Sequence, residues 1–210
     1  MVCESFSLSP APRIYLASAS PRRRELLTQI ALSHFCLPQH LDESTKAGEQ
    51  PAAYVERLAR AKAEAGWADP ARSLHLPVLA ADTTVVCDGE ILGKPGSLEE
   101  ARTMLRRLSG RSHEVLTGIA VTLDAQTHAK VVSTAVSFRE LRPDEIDAYW
   151  HSGEPCDKAG GYGIQGRAAL FVTGIEGSYS NVVGLPLFET AQLLEVFGIT
   201  SIALLQAITH

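Results

Sequence analysis

The chain has no run of about eighteen apolar residues, so the sequence predicts no transmembrane helix and no membrane partner. Residues 1–12 lack a basic start followed by an apolar core and do not read as a secretory signal. They read as a short flexible N-terminal extension. Cysteine is scarce: Cys3, Cys36, Cys87 and Cys156 form no CxxC pair and no zinc-like spacing. That usage fits a reduced, cytoplasmic compartment. Cys36 and Cys87 sit in apolar runs and read as core, and Cys156 has no evident base beside it, so no catalytic thiol is expected. A basic excess is also missing. Lys and Arg number 19 against 24 Asp and Glu, a formal net charge of -5, which argues against nucleic acid as a partner. There is no internal repeat, low-complexity tract or linker, and no GxxxxGK[ST] loop.

What remains is an ordinary globular composition over 210 residues, 45% hydrophobic and 20% charged. The length suits one domain, placed at residues 13–208. Strand and helix patterns alternate, which predicts an α/β fold. The most informative stretch, residues 78–95, reads as a β-hairpin. Residues 78–87 are apolar and β-branched, Asp88-Gly89 is a two-residue turn signal, and residues 90–92 begin the return strand. Asp82 interrupts the apolar run, and a carboxylate is costly to bury there unless something pairs with it. Lys94, at the end of the return strand, could bring a cation back to it. The alternative is a surface Asp beside a solvated Lys.

Upstream, residues 13–17 read as a strand. It passes through Ser18-Ala19-Ser20 into a helix with Ser20 as N-cap and Pro21 at its first position. Arg22, Arg23 and Arg24 on the first turn oppose the helix dipole, which a ligand phosphate would explain. The alternative is that they point outward and solubilise. Residues 35–37 read as a second strand, followed by a polar loop in which Asp42-Glu43 could hold a divalent metal or simply make a solvated turn. Residues 52–67 read as a helix with Val55, Leu58 and Ala59 inward. Lys62 falls on the same face, where it snorkels to water or meets an acid or phosphate, snorkelling being the commoner case.

Downstream, Ser97-Leu98-Glu99-Glu100 is a capping box that opens a helix with Ala101, Met104, Leu105 and Leu108 inward. Residues 115–123 and 131–138 read as antiparallel strands, 143–150 as a short helix and 168–173 as a strand. Residues 178–181 read as a polar turn and 187–197 as the final helix. His113 could be a base, but a lone His is more often a hydrogen-bonded structural residue. Residues 157–166, DKAGGYGIQG, contain four glycines in seven residues, which let backbone approach a ligand closely, and Gln165 offers a donor and an acceptor for a base edge.

Five pieces stand in order: LASASPRR from Leu16, Asp42-Glu43, Ala81-Asp82-Thr83 with Leu92-Gly93-Lys94-Pro95, Asp157 to Gly166, and Gly184-Leu185-Pro186-Leu187. In this order and spacing they resemble the Maf family of nucleoside triphosphate pyrophosphatases, over nearly the whole chain from about Arg13 to about Phe197. That family has a branch acting on dTTP and UTP and another preferring 7-methyl-GTP. Arg22, Thr83 and Gln165 match the dTTP/UTP branch. The resemblance implies a Maf/ITPase-like mixed twisted sheet flanked by helices, with two lobes around a nucleotide cleft. It implies a nucleoside triphosphate substrate, a divalent metal cation (Mg²⁺ or Mn²⁺) and a homodimer. It carries over Asp82 as proton acceptor with Lys62 and Lys94 beside it, Ser18, Arg22, Arg23, Thr83 and Gln165 as substrate-binding residues, and Glu43 with Asp82 as metal ligands. Residues 1–12 and Gly161, where a small residue such as Ala is usual, depart from the pattern. Two other classes stay open: a nucleotide-binding regulator with incidental hydrolysis, and a general phosphate-ester hydrolase. The latter is disfavoured in covalent form by the absence of a Cys or Ser nucleophile motif.

Overall fold

A computed structural model describes residues 13–206; the expected extension, residues 1–12, and residues 207–210 lie outside the described residues. Strand β1 (Arg13–Leu16) leads through helix α1 (Pro21–Gln29) to a parallel neighbour β2 (Ser33–Cys36). Helix α2 (Pro51–Ala68) then crosses back to β3 (Val78–Cys87), which runs parallel to β1. Strand β4 (Glu90–Leu92) folds back on β3 through Asp88 and Gly89, both at positive φ (53° and 78°), as a primed two-residue turn requires. Helix α3 (Leu98–Leu108) precedes the long antiparallel pair β5 (Ser112–Leu123) and β6 (Gln126–Phe138). Helix α4 (Pro143–His151), β7 (Val172–Glu176) and helices α5 (Tyr179–Val183), α6 (Leu187–Glu195) and α7 (Ser201–Leu205) complete the order. The result is the mixed, helix-flanked sheet that was expected, in the order β2-β1-β3-β5-β6-β7 with β4 on β3.

The central strands are apolar on both faces because both faces are covered. Ile14, Leu16, Leu79 and Ala81 pack into one core with Leu26 and Leu27 of α1, Leu105 and Leu108 of α3 and Leu194 of α6. Tyr15, Ala17, Val78 and Ala80 face the other way, against Ala59 and Ala63 of α2. This alternation places the site. Asp82 follows Val78 and Ala80 toward α2, whereas Thr83 follows Leu79 and Ala81 toward α1. β1 pairs β3 only as far as Leu79, and β4 begins pairing at Val85. Between them one edge of β3 has no strand neighbour, beyond the carboxyl end of β1, the place where open α/β sheets bind ligands.

The folded chain departs from the expected elements at several places. β6 starts at Gln126 rather than at 131, because Asp124 takes a positive φ of 55° and turns the chain in two residues. Residues 168–173 are not one strand: a 3₁₀ turn occupies Arg167–Leu170 and β7 begins at Val172. The polar residues near 178 open α5 instead of making a bare turn, with Ser178 capping Asn181 N. The final helix ends at Glu195 and a further helix, α7, follows. Cys36 is exposed because β2 is an edge strand, while Cys87 is buried as expected. Met104 is only half-buried. His113 is a buried structural residue. Its Nε2 lies 2.8 Å from the Tyr162 hydroxyl, and burial pulls its pKa down to about 4. Among the described residues no helix is long and apolar enough to cross a membrane.

Candidate active site

Under the open edge of β3 lies a cavity of about 910 Å³, a size suited to a small-molecule ligand. One wall is built by the β1–α1 loop, β3, the polar loop around Glu43 and α2. The other is built by Gly93-Lys94 after β4, the segment from Glu154 to Gly166, and Val182 to Gly184. Five cationic side chains line it, Arg22, Arg23, Lys62, Lys94 and Lys158, with four carboxylates, Glu43, Asp82, Glu154 and Asp157.

Asp82 and Lys62 form a buried pair. Lys62 Nζ donates to Asp82 Oδ1 at 2.7 Å, and Glu43 Oε1 stands 2.5 Å from the same nitrogen. Lys62 is 7% exposed and does not snorkel. The hairpin's own Lys94 is not the partner of Asp82. It lines the cavity and makes no ion pair among the described residues. Gly118 explains how α2 reaches Asp82. It is the register partner of Asp82 on β5, and a Cβ there would collide with the Val55 carbonyl, so the α2 backbone rests directly on the strand. Burial pushes the Glu43 carboxyl up, but its hydrogen bond to Lys62 and the charges of Lys62, Lys94 and Arg23 together hold it below its ordinary value. Tyr54, which sequence reasoning missed, donates to the Glu43 carbonyl at 2.9 Å. Its phenol is pushed up to about 12, by burial first and then by Asp82 and Glu43. Asp42 is not part of this group. It accepts from Ser44 N and shapes the loop.

The three arginines divide. Arg24 is exposed, as the solvated reading has it. Arg23 turns into the cavity and donates to neutral oxygens: the Gly184 carbonyl at 2.8 Å, Ser18 Oγ at 3.1 Å and Thr83 Oγ1 at 3.2 Å. Its positive charge is therefore held in place without being cancelled. Thr83 Oγ1 also shares a hydrogen bond with Thr117 Oγ1 at 2.9 Å. Arg22 lies 3.6 Å from Asp157 Oδ2, a distance that leaves it available to exchange partners. Ser18 is buried and its hydroxyl accepts from Ser20 N. Ser20 begins α1 as expected, but its side chain makes no capping bond. Gln165 is exposed on the cavity wall, and its amide makes no hydrogen bond among the described residues.

The acids fit a metal only in one way. Among the described residues no group of three or more His, Cys, Asp and Glu side chains could cage an ion. Glu43 and Asp82 each use one oxygen on Lys62, and among the described residues the other oxygen of each makes no hydrogen bond. A pair of this kind suits a hard cation that keeps its waters and takes phosphate oxygens as further ligands.

A family model described as Maf-like protein matches residues 13–197. The chain belongs to the Maf family. Among Maf relatives, a protein from Nitrosomonas europaea named dTTP/UTP pyrophosphatase is 53% identical over 197 residues, covering 89% of this chain and 95% of its own. Proteins of the same name from Chromobacterium violaceum and Moorella thermoacetica are each 54% identical, covering 89% of this chain and 95% and 96% of theirs. Among solved structures, the Staphylococcus aureus Ham1 protein superposes with a TM-score of 0.44 at 18% identity, over 60% of this chain and 71% of that one. That likeness is too slight to add to the family assignment.

Proposed function

We propose that this Maf protein hydrolyses dTTP and UTP to the monophosphate and pyrophosphate. The observation that carries the reading is the pairing of uncancelled cations with a tethered acid in one cavity. Arg23 is seated on neutral oxygens and Lys94 makes no ion pair among the described residues, while Lys62 holds Asp82 in the same cavity. A triphosphate brings several negative charges, and fixed cations in a partly dry cleft stabilise more charge as it builds in the transition state. The names of the relatives support the choice of nucleotide.

The chain's residues divide the work as follows. Arg22 and Arg23, with the Ser18 hydroxyl, bind phosphate oxygens, and Arg22 leaves Asp157 to do so. Asp82 accepts a proton from the attacking water, whose oxygen bonds to the α-phosphorus as the bond to the bridging oxygen breaks. Pyrophosphate departs and Lys94 balances its charge. Lys62 keeps Asp82 and Glu43 aligned. A divalent ion, Mg²⁺ or Mn²⁺, held by the free oxygens of Glu43 and Asp82, would supply Lewis-acid neutralisation of the phosphates. Gln165, whose amide makes no hydrogen bond among the described residues, reads the pyrimidine edge, and Thr83 lines the same cavity. A site that pairs its polar groups with one base rejects another by leaving them unpaired. A homodimer in the cytoplasm completes the proposal, and light scattering on the purified chain tests its mass.

The test is product analysis on dTTP, UTP, CTP and GTP with Mg²⁺ or Mn²⁺. Pyrophosphate with TMP or UMP, and little product from GTP, is expected. Orthophosphate as the product, or binding without turnover, would contradict it.

A further inference from the structure

The glycine-rich segment is not an open cradle. A Cβ on Gly163 would sit 2.6 Å from Lys158 Cε, and one on Gly166 would collide with the Glu154 carboxylate. The space at both glycines is filled by the chain's own side chains. Glu154 begins the 3₁₀ turn Glu154–Asp157, just after α4. Tyr149 lies on the buried face of α4, its ring edge-on to Phe171 at 5.1 Å.

These two side chains bridge the loop that carries Gln165. Tyr149 Oη accepts from Gly163 N at 3.1 Å and donates to Glu154 Oε1 at 2.8 Å. Glu154 Oε2 accepts from Arg167 N at 2.9 Å. The strut therefore ties the backbone two residues before Gln165 to the backbone two residues after it. A carboxylate suits the position, because the Tyr149 hydroxyl and Arg167 N both donate to it and an ionised carboxylate accepts at both oxygens. Burial first, and then the hydrogen bond to Glu154, push the Tyr149 phenol above its ordinary value, so it remains a donor.

We propose that Glu154 and Tyr149 are positioning residues for base choice, holding residues 163–167 in the form that presents the Gln165 amide to the cavity. The inference rests on the reading of Gln165 as the base-reading residue. Loss of the strut leaves the phosphate-binding side chains in place and lets the amide wander. Discrimination then falls more than turnover of the preferred nucleotide.

The experiment measures kcat/KM for UTP and CTP in the wild type, Glu154→Gln, Tyr149→Phe, Gln165→Ala and the Glu154→Gln/Gln165→Ala double variant. Thermal unfolding checks that each is folded. Gln165→Ala is expected to lower the UTP/CTP ratio about tenfold, roughly what one well-made hydrogen bond is worth. Glu154→Gln and Tyr149→Phe are expected to lower it at least about threefold, and Glu154→Gln to add nothing in the Gln165→Ala background. Tyr149→Phe removes the strut from its other end, so the idea stays testable if Glu154→Gln folds poorly. An unchanged ratio in both strut variants, with Gln165→Ala effective, overturns the positioning role and leaves the Gln165 reading standing. A full further loss in the double variant also overturns it, since Glu154 would then act on the base without Gln165. An unchanged ratio in Gln165→Ala removes the base-reading role and this inference with it.

Discussion

Lys62 shares its ammonium between Asp82 and Glu43, so each of the three fixes the other two. Replacing Asp82 by Asn keeps the shape and the contact with Lys62 but removes the proposed proton acceptor. Turnover of dTTP by Asp82→Asn should fall about 100-fold or more, the usual worth of a general base, with nucleotide affinity by calorimetry largely retained. Near wild-type turnover in the folded variant would refute the assignment. Asp82 was legible in the sequence because a carboxylate interrupts a β-branched run. Its partner was read less well. Lys94 is close along the hairpin, but the strand's two-residue period turns Asp82 toward α2, and the cation that arrives there is Lys62. Glu154 and Tyr149 carried no signal at all, since their role depends on a turn that only the folded chain shows.

At the scale of elements, the contact that matters is α2 on β5. Gly118 has no side chain where the Val55 carbonyl presses on the strand. Gly118→Ala should force α2 outward and so draw Lys62 from Asp82. It is expected to cost about 1–3 kcal/mol by urea unfolding, in line with overpacking of a tight core, and to reduce turnover as well. A variant as stable and active as the wild type would show that α2 has slack. A mid-strand glycine in sequence suggests a close approach but does not say what approaches. The major strands and helices were legible because their periodicities are strong. The region from 168 to 183 was not, because a 3₁₀ turn, a largely exposed edge strand and a five-residue helix are too short to show a period.

At the scale of the whole molecule, the buried His113–Tyr162 link ties β5 to the segment after α4. Burial lowers the His113 pKa from its usual 6.5 to about 4, so the folded chain keeps it neutral. Between those values the unfolded chain binds a proton that the folded one refuses. This contribution is thus intact above pH 6.5, declines as pH falls, and stops changing below about 4. The shift corresponds to about 3 kcal/mol. His113→Phe should flatten the dependence of urea stability on pH in that window, whatever it does to stability at pH 7. An unchanged slope would mean that the imidazole is not held neutral.

The proposed reaction is defined by which bond of the triphosphate is cut. The most direct measurement offers two thymidine triphosphate analogues, one with a methylene between the α- and β-phosphates and one with it between the β and γ. Attack of water at the α-phosphorus predicts that the β,γ-methylene analogue is cleaved to TMP and the α,β-methylene analogue is inert. Cleavage of the α,β analogue with release of orthophosphate, and none of the other, would contradict it.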